Sequence, residues 1–384
     1  MNLLHGQDLL ATHKHFEQGE EIPFKHVRPL GRGAFGVVDE VEYLQGRPGA
    51  ATNAPATYAR KVVQNTGSLH NYRMIQDEID LLKRLRHKHV VRLLTTYSVE
   101  RQYAIIMSPV ADTNLRDYLA SAQQEDKIYQ WFGCLSAGLA YVHSQQIRHR
   151  DIKPANILVK GDSVLFTDFG IAKDFSEDAT TSSTGTVDAK CYMYCAPEVA
   201  AEKPRGRPSD MFSLGCVFLE MVTVLMGQAT ISLSRLHESV TAHGRKAYHA
   251  SLGKVQQWIL TLCVQIAADA WGCLQSDNGF MLEWCFAILH PDPASRLSAR
   301  SLYRLIQDVD SRVVRQRRFV ATCCKIMRAE ARSSESRGKT QFRLFERWPT
   351  AAFIPGDGEA KRWSDVAEQL GYKLPEGSYD DAVD

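Results

Sequence analysis

The stretch Ile147–Val159, IRHRDIKPANILV, decides how this chain is read. It sets His149, Arg150, Asp151, Lys153 and Asn156 between two short apolar runs. A buried strand has no use for such a set, and an ordinary surface loop does not combine these side chains so densely. A carboxylate, an ammonium two residues on and an amide three beyond it stand together on one loop. A second carboxylate, Asp168 in TDFG, follows Asn156 by twelve residues. With that second motif in place, a plain solvated turn no longer accounts for the pattern.

Outward from this loop the chain changes character twice. Its 384 residues, 44% hydrophobic and 23% charged, suit one large two-lobed domain or two domains with an appendage. Residues 1–22 read as a short helical or loose leader. From Pro23 to about Pro109 the runs FKHVRPLG, GVVDEVEYL, YARKVV, RLLTTYSV and YAIIMS are β-branched or aromatic and bounded by Gly, Pro or polar clusters, as strands are. Among them only NYRMIQDEIDLLKRLRH repeats its apolar residues at helical spacing. From Asn114 helices dominate, interrupted after the opening loop by the short strands ILVK and VLFTDFG. From about Ser311 the chain is rich in Arg and Lys and ends acidic, which predicts a basic helix and a partly disordered tail.

Composition excludes several classes. A formal charge of +2 gives no strong pull towards nucleic acid or membrane, and no nucleic-acid partner is expected even for the basic tail. The nine cysteines are odd in number and lack zinc-site spacing, and the adjacent Cys323 and Cys324 read as two packed or exposed thiols and not as a redox switch. Reduced cysteines and a start without signal-peptide character predict an intracellular protein, cytoplasmic or nuclear. The apolar stretch Ser213–Gly227 is too short to span a bilayer and carries Glu220 in its middle, so it reads as a buried helix.

His149-Arg150-Asp151, Lys153, Asn156 and Asp168-Phe169-Gly170 together resemble the catalytic loop and metal-binding motif of the eukaryotic protein kinases. The resemblance runs from roughly Phe24 to Val309 and rests on the order and spacing of many motifs. It implies an α+β fold of two lobes over residues 23–310: a small antiparallel β-rich lobe with one key helix (about 23–108), a hinge at about 108–112 and a larger, mainly helical lobe (about 113–310). Residues 1–22 and 311–384 are then extensions.

The remaining motifs are weaker alone. GRGAFGVV holds Gly31, Gly33 and Gly36; a lone GxGxxG also marks dinucleotide folds, but strand-like residues follow it here, against a Rossmann helix. The resemblance makes this loop a phosphate cover with Phe35 at its tip. Lys61, in the apolar run YARKVV, is costly to bury without a partner, and Glu78 or its neighbour Asp77 supplies one; the family register selects Glu78. By resemblance Lys61 holds the nucleotide phosphates, Asp151 accepts the proton of the incoming hydroxyl, Lys153 neutralises the transferred group, and Asn156 and Asp168 bind Mg²⁺. Motif position likewise puts Val38, Ala59 and Leu158 around adenine, with Met107 before the hinge and Val110 on it. It also predicts a packed column of Leu82, Leu93, His149 and Phe169, an ion pair between Glu198 and Arg296, and a bracing role for Asp210.

The implied activity is transfer of the γ-phosphoryl group of Mg-ATP to protein serine or threonine, Lys153 being the Ser/Thr-type residue at its position. The rival expectation is an inactive kinase-fold scaffold. Arg150 beside Asp151 goes, in the family, with activation by phosphorylation, and Thr180, Thr181, Ser182, Ser183, Thr184 and Thr186 are the candidate acceptors; an upstream activating kinase is the corresponding partner. Cys191 departs from the family, which usually carries a Thr there, and a thiol is the weaker hydrogen-bond partner.

Overall fold

The computed structural model describes residues 13–33, 36–44, 56–64, 69–121, 125–169, 173–174, 192–227, 229–242, 244–269, 277–312 and 318–325. The chain divides into a sheet-based unit, Met1–Leu115 with Cys134–Ala179, and a helical unit, Arg116–Gly133 with Thr180–Asp384. Phe35, Cys191 and the hydroxyls at 180–186 lie outside the described residues.

In the first unit every anticipated strand forms: β2 (Phe24–Gly33), β3 (Gly36–Tyr43), β4 (Ala56–Gln64), β5 (Arg92–Val99) and β6 (Gln102–Ser108), after a short β1 (Lys14–Phe16). Their order in the sheet is β1-β5-β6-β4-β3-β2. All pairs are antiparallel except β1, which runs parallel to β5. The leader expected to be helical or loose thus ends in an edge strand. Its His13 ring bonds Thr96 Oγ1 at 3.0 Å and Ser98 Oγ at 2.9 Å, and Phe16 buries edge-on against Tyr97. Backbone pairing needs no long apolar pattern, so three residues suffice once β5 offers an open edge.

Helix α1 (Leu69–Arg84) joins β4 to β5 and buries Ile75, Ile79 and Leu82 on one face, as its 3.6-residue spacing requires, with Leu81 buried beside them. After α2 (Leu115–Ala120) and α3 (Glu125–Ser144) come β8 (Ile147–Arg148), β9 (Ile157–Lys160) and β10 (Ser163–Phe166). Strand β9 lies between β10 and the short β7 (Thr113–Asn114), and β8 pairs with β11 (Lys173–Asp174). Two backbone bonds, Val91 N–H to Phe166 O and Phe166 N–H to His89 O, both 2.9 Å, stitch the end of β10 to the segment before β5. They fix where Thr167 and Asp168 begin.

The helical unit is built on α5 (Arg207–Met226), with α4 (Pro197–Ala200), α6 (Ala229–Ser239), α7 (Leu252–Asp269), α8 (Asp277–Ile288), α9 (Ala299–Arg312) and the short α10 (Thr322–Lys325). Helix α5 starts six residues before the apolar stretch seen in the sequence, so it is long and apolar enough to cross a membrane. It is instead buried along nearly its whole length, with Phe218 4.6 Å from the Phe132 ring centroid. Glu220 is tolerated there because its Oε1 accepts from Tyr194 Oη at 2.9 Å and Tyr248 Oη at 2.8 Å, and lies 3.0 Å from His237 Nε2. Burial, and then the Glu220 charge, push both tyrosine hydroxyls well above their usual range.

Part of the C-terminal extension belongs to this unit. Phe319 is fully buried, edge-on to Trp284 at 4.8 Å. Its N–H donates to Asp310 Oδ1 and its carbonyl accepts from Gly133 N–H, where a Cβ would collide with that same carbonyl.

One carboxyl in α8 sets a pH dependence. Burial raises Glu283 from 4.5 to about 7. A raised carboxyl contributes stability that is fully present below its unfolded pKa and is lost as pH climbs through the folded one. The wild-type melting temperature should therefore fall between about pH 4.5 and pH 7 from this group. Glu283→Gln, neutral at every pH, should flatten that fall and exceed wild type at pH 8. Parallel melting profiles for the two proteins would exclude the assignment.

Candidate active site

The sheet unit brings the motif residues together. Lys61 stands mid-strand on β4, paired in register with Val38 of β3 and Ile105 of β6. It is 5% exposed, so its ammonium needs countercharge. Glu78, one of the buried residues of α1, provides it through both oxygens, at 2.7 and 3.0 Å from Nζ. Asp168 Oδ1 adds a third contact at 3.0 Å. Burial alone would depress the Lys61 pKa; the Glu78 and Asp168 carboxylates outweigh it and lift the value to about 12. For Asp168, burial pushes up and the Lys61 charge more than compensates, so its carboxyl stays below the ordinary range. Of the two sequence candidates for the Lys61 partner, Glu78 is the one inside; Asp77 is exposed.

The opening loop is equally ordered. Lys153 Nζ lies 2.9 and 2.7 Å from the two Asp151 oxygens. Asn156 Nδ2 donates to Asp151 Oδ2 at 2.7 Å and to the Asp151 carbonyl at 2.9 Å. The turn Pro154–Asn156 that makes this reach possible is a single 3₁₀ turn begun by a proline, whose fixed φ suits a first turn. Behind it, His149 is fully buried; its Nε2 donates to Thr167 O at 3.1 Å, and its ring lies 4.5 Å from that of Phe169. The loop is thereby tied to the residue preceding Asp168. Leu82, Leu93 and Phe169 are buried as expected of the column.

Sequence reasoning missed two features here. Arg150 and Asp168 have φ of +69° and +63°, a left-handed conformation that costs a non-glycine residue about 1–3 kcal/mol and concentrates at functional sites. Neither position carries the glycine that usually announces it, although Asp tolerates this conformation better than most residues.

The remaining candidates fall around the same sheet. Gly31 pairs with Val38, and Gly33 pairs with Gly36. A side chain at Gly36 would strike the Val62 carbonyl, so β3 can lie this close to β4 only with glycine there. Ala59 is buried opposite Met107, Leu158 is half-buried on β9, and Val110 is buried two residues past the end of β6. In the helical unit, Arg296 grips Glu198 through two bonds of 2.7 and 2.8 Å, and donates also to the carbonyls of Pro208, Pro291 and His290. Asp210 is 1% exposed in the first turn of α5.

Against known sequences, residues 24–305 match the model of the protein kinase domain. The chain belongs to the protein kinase domain family. It is similar to the serine/threonine-protein kinase fused of Drosophila melanogaster, 29% identical over 273 residues, which are 70% of this chain and 31% of that protein. A calcium/calmodulin-dependent protein kinase of Metarhizium anisopliae is 27% identical over 246 residues, 62% of this chain and 58% of its own. Mitogen-activated protein kinase kinase kinase 2 of Arabidopsis thaliana is 32% identical over 203 residues, 50% and 30% respectively. The chain thus spans less than two thirds of each of these relatives.

Proposed function

We propose that this protein transfers the γ-phosphoryl group of ATP to serine or threonine hydroxyls of protein substrates. The observation that carries the reading is the double assembly in the sheet unit: Lys61 on Glu78 and Asp168, and Asp151 between Lys153 and Asn156. A kinase fold retained only for binding has no need of both.

Each residue has a role in that reaction. Lys61, charged and fixed by Glu78, presents its ammonium to the nucleotide phosphates. Asp151, aimed by its two partners, orients the acceptor hydroxyl and takes its proton. Lys153 meets charge that builds on the transferred group. The donor set fits Mg²⁺, since Asp168 holds its carboxylate ionised and Asn156 offers an amide oxygen, both hard ligands. When bound, Mg²⁺ would neutralise phosphate charge. Val38, Ala59, Leu158, Met107 and Val110 would receive adenine. The proposal extends to regulation by phosphorylation at 180–186, which the sequence alone supports.

The test is transfer of ³²P from [γ-³²P]ATP with Mg²⁺ to a generic Ser/Thr acceptor and to the protein itself, followed by phosphoamino-acid analysis. Label on serine or threonine supports the reading. If ATP and Mg²⁺ raise the melting temperature while no label is transferred, even after treatment with activating kinases, the scaffold reading replaces it.

A further inference from the structure

The docked segment Arg318–Lys325 carries an arrangement that the kinase reaction does not use. Cys323 and Cys324 are consecutive in α10, and their sulfurs lie 3.8 Å apart. Consecutive helical side chains diverge by about 100°, so neighbouring thiols need not converge in this way. The separation is too long for a disulfide bond. It is the distance of a hydrogen bond between the two thiols, and it is also the spacing of chelation: two thiolates each about 2.3 Å from a tetrahedral Zn²⁺ are about 3.8 Å apart.

The pair is also held in place. Tyr303 Oη of α9 donates to the Cys324 carbonyl at 3.0 Å, and Cys324 N–H donates to Ala321 O at 2.9 Å. Just upstream, Phe319 is locked by Asp310, Gly133 and Trp284. Cys324 is buried, while Cys323 is partly exposed and gives an approach for an ion. A rigid backbone with two converging sulfurs is what a metal site requires before binding.

We propose that Cys323 and Cys324 form the two-thiolate half of a tetrahedral site for Zn²⁺. Two S–H bonds break and two S–Zn bonds form, with two protons released to solvent. Further donors of the chain or water fill the other two positions. Binding fastens the Phe319 anchor onto the helical unit in so far as the converged sulfurs and the further donors of the fold hold the ion more tightly than the same two adjacent thiols do in an unfolded chain. The inference is independent of the kinase reading.

The experiment uses the full chain, reduced and stripped of metal, titrated with Co²⁺ as a spectroscopic probe and then with Zn²⁺. Expected are intense near-ultraviolet sulfur-to-cobalt bands that saturate at one ion per chain, are bleached by Zn²⁺, and grow in as pH rises. Zn²⁺ should raise the melting temperature and slow hydrogen exchange at Phe319–Cys324. In C323S/C324S these bands and the Zn²⁺-dependent stabilisation should disappear. Should the double variant fail to fold, Cys323→Ser, at the partly exposed position, should fold and lose at least the roughly 10–100-fold in Zn²⁺ affinity that even an outer-shell partner commands. Absence of the bands in reduced wild type, or binding that the cysteine variants leave unchanged, overturns the site.

Discussion

Asp151→Asn is expected to abolish most phosphoryl transfer while leaving nucleotide binding intact. Positioned proton transfer contributes about 10²–10⁴-fold to rate, and a loss in that range should appear in kcat. The substitution removes more than a proton acceptor. Both Asp151 oxygens take a bond from the Lys153 ammonium, and one also takes the Asn156 amide. An asparagine has one oxygen; its NH₂ would face a donor whichever way it turned. The hydroxyl-orienting function should therefore suffer together with the proton transfer. Lys61, Glu78 and Asp168 make their contacts independently of Asp151, so the stabilisation by ATP and Mg²⁺ should persist. If Asp151→Asn keeps activity within about tenfold of wild type, the assignment of Asp151 as base is wrong.

The second large effect is on folding. Arg296 and Glu198 are both buried, and the guanidinium also satisfies three backbone carbonyls. Removing one partner of such a pair leaves an uncompensated buried charge and costs about 3–5 kcal/mol. Arg296→Leu would strand the Glu198 carboxylate and the three carbonyls together. At about 2–4 °C per kcal/mol for a unit of this size, the melting temperature should drop by roughly 6–20 °C. The double variant E198L/R296L should recover part of that loss, because an apolar pair replaces the stranded charge. A single variant within about 1 kcal/mol of wild type in denaturant titration would mean that the pair is solvated and not buried.

The opening loop was the most legible part of the site. Asp151, Lys153 and Asn156 lie within six residues, so a single 3₁₀ turn brings them together and no distant segment is needed. The strands of the sheet unit and helix α1 were legible for a related reason: alternation and 3.6-residue spacing are set by backbone geometry within each segment. Glu78 and Asp77 could not be separated by residue type; they differ by about 100° around α1, and only the position of the helix against the sheet turns one of them inward.

The sequence by itself determined the order of elements, through local spacing; its resemblance to the protein kinases pointed to the family and marked Asp151, Lys153, Lys61 and Asp168 as the candidate reacting side chains. The resemblance implied that Arg296 meets Glu198, 98 residues away, but only the tertiary structure brought Lys61 to Asp168 across 107 residues. It also gave β1 its place at the sheet edge and Phe319 its place among the helices. Neither segment carries a strong pattern, because each completes a surface that other residues leave open. A three-residue edge strand takes its register from β5, and a single anchoring aromatic takes its burial from Trp284 and the absence of a side chain at Gly133. Such positions are fixed by the energy of filling what remains, which exists only once the rest of the chain has folded.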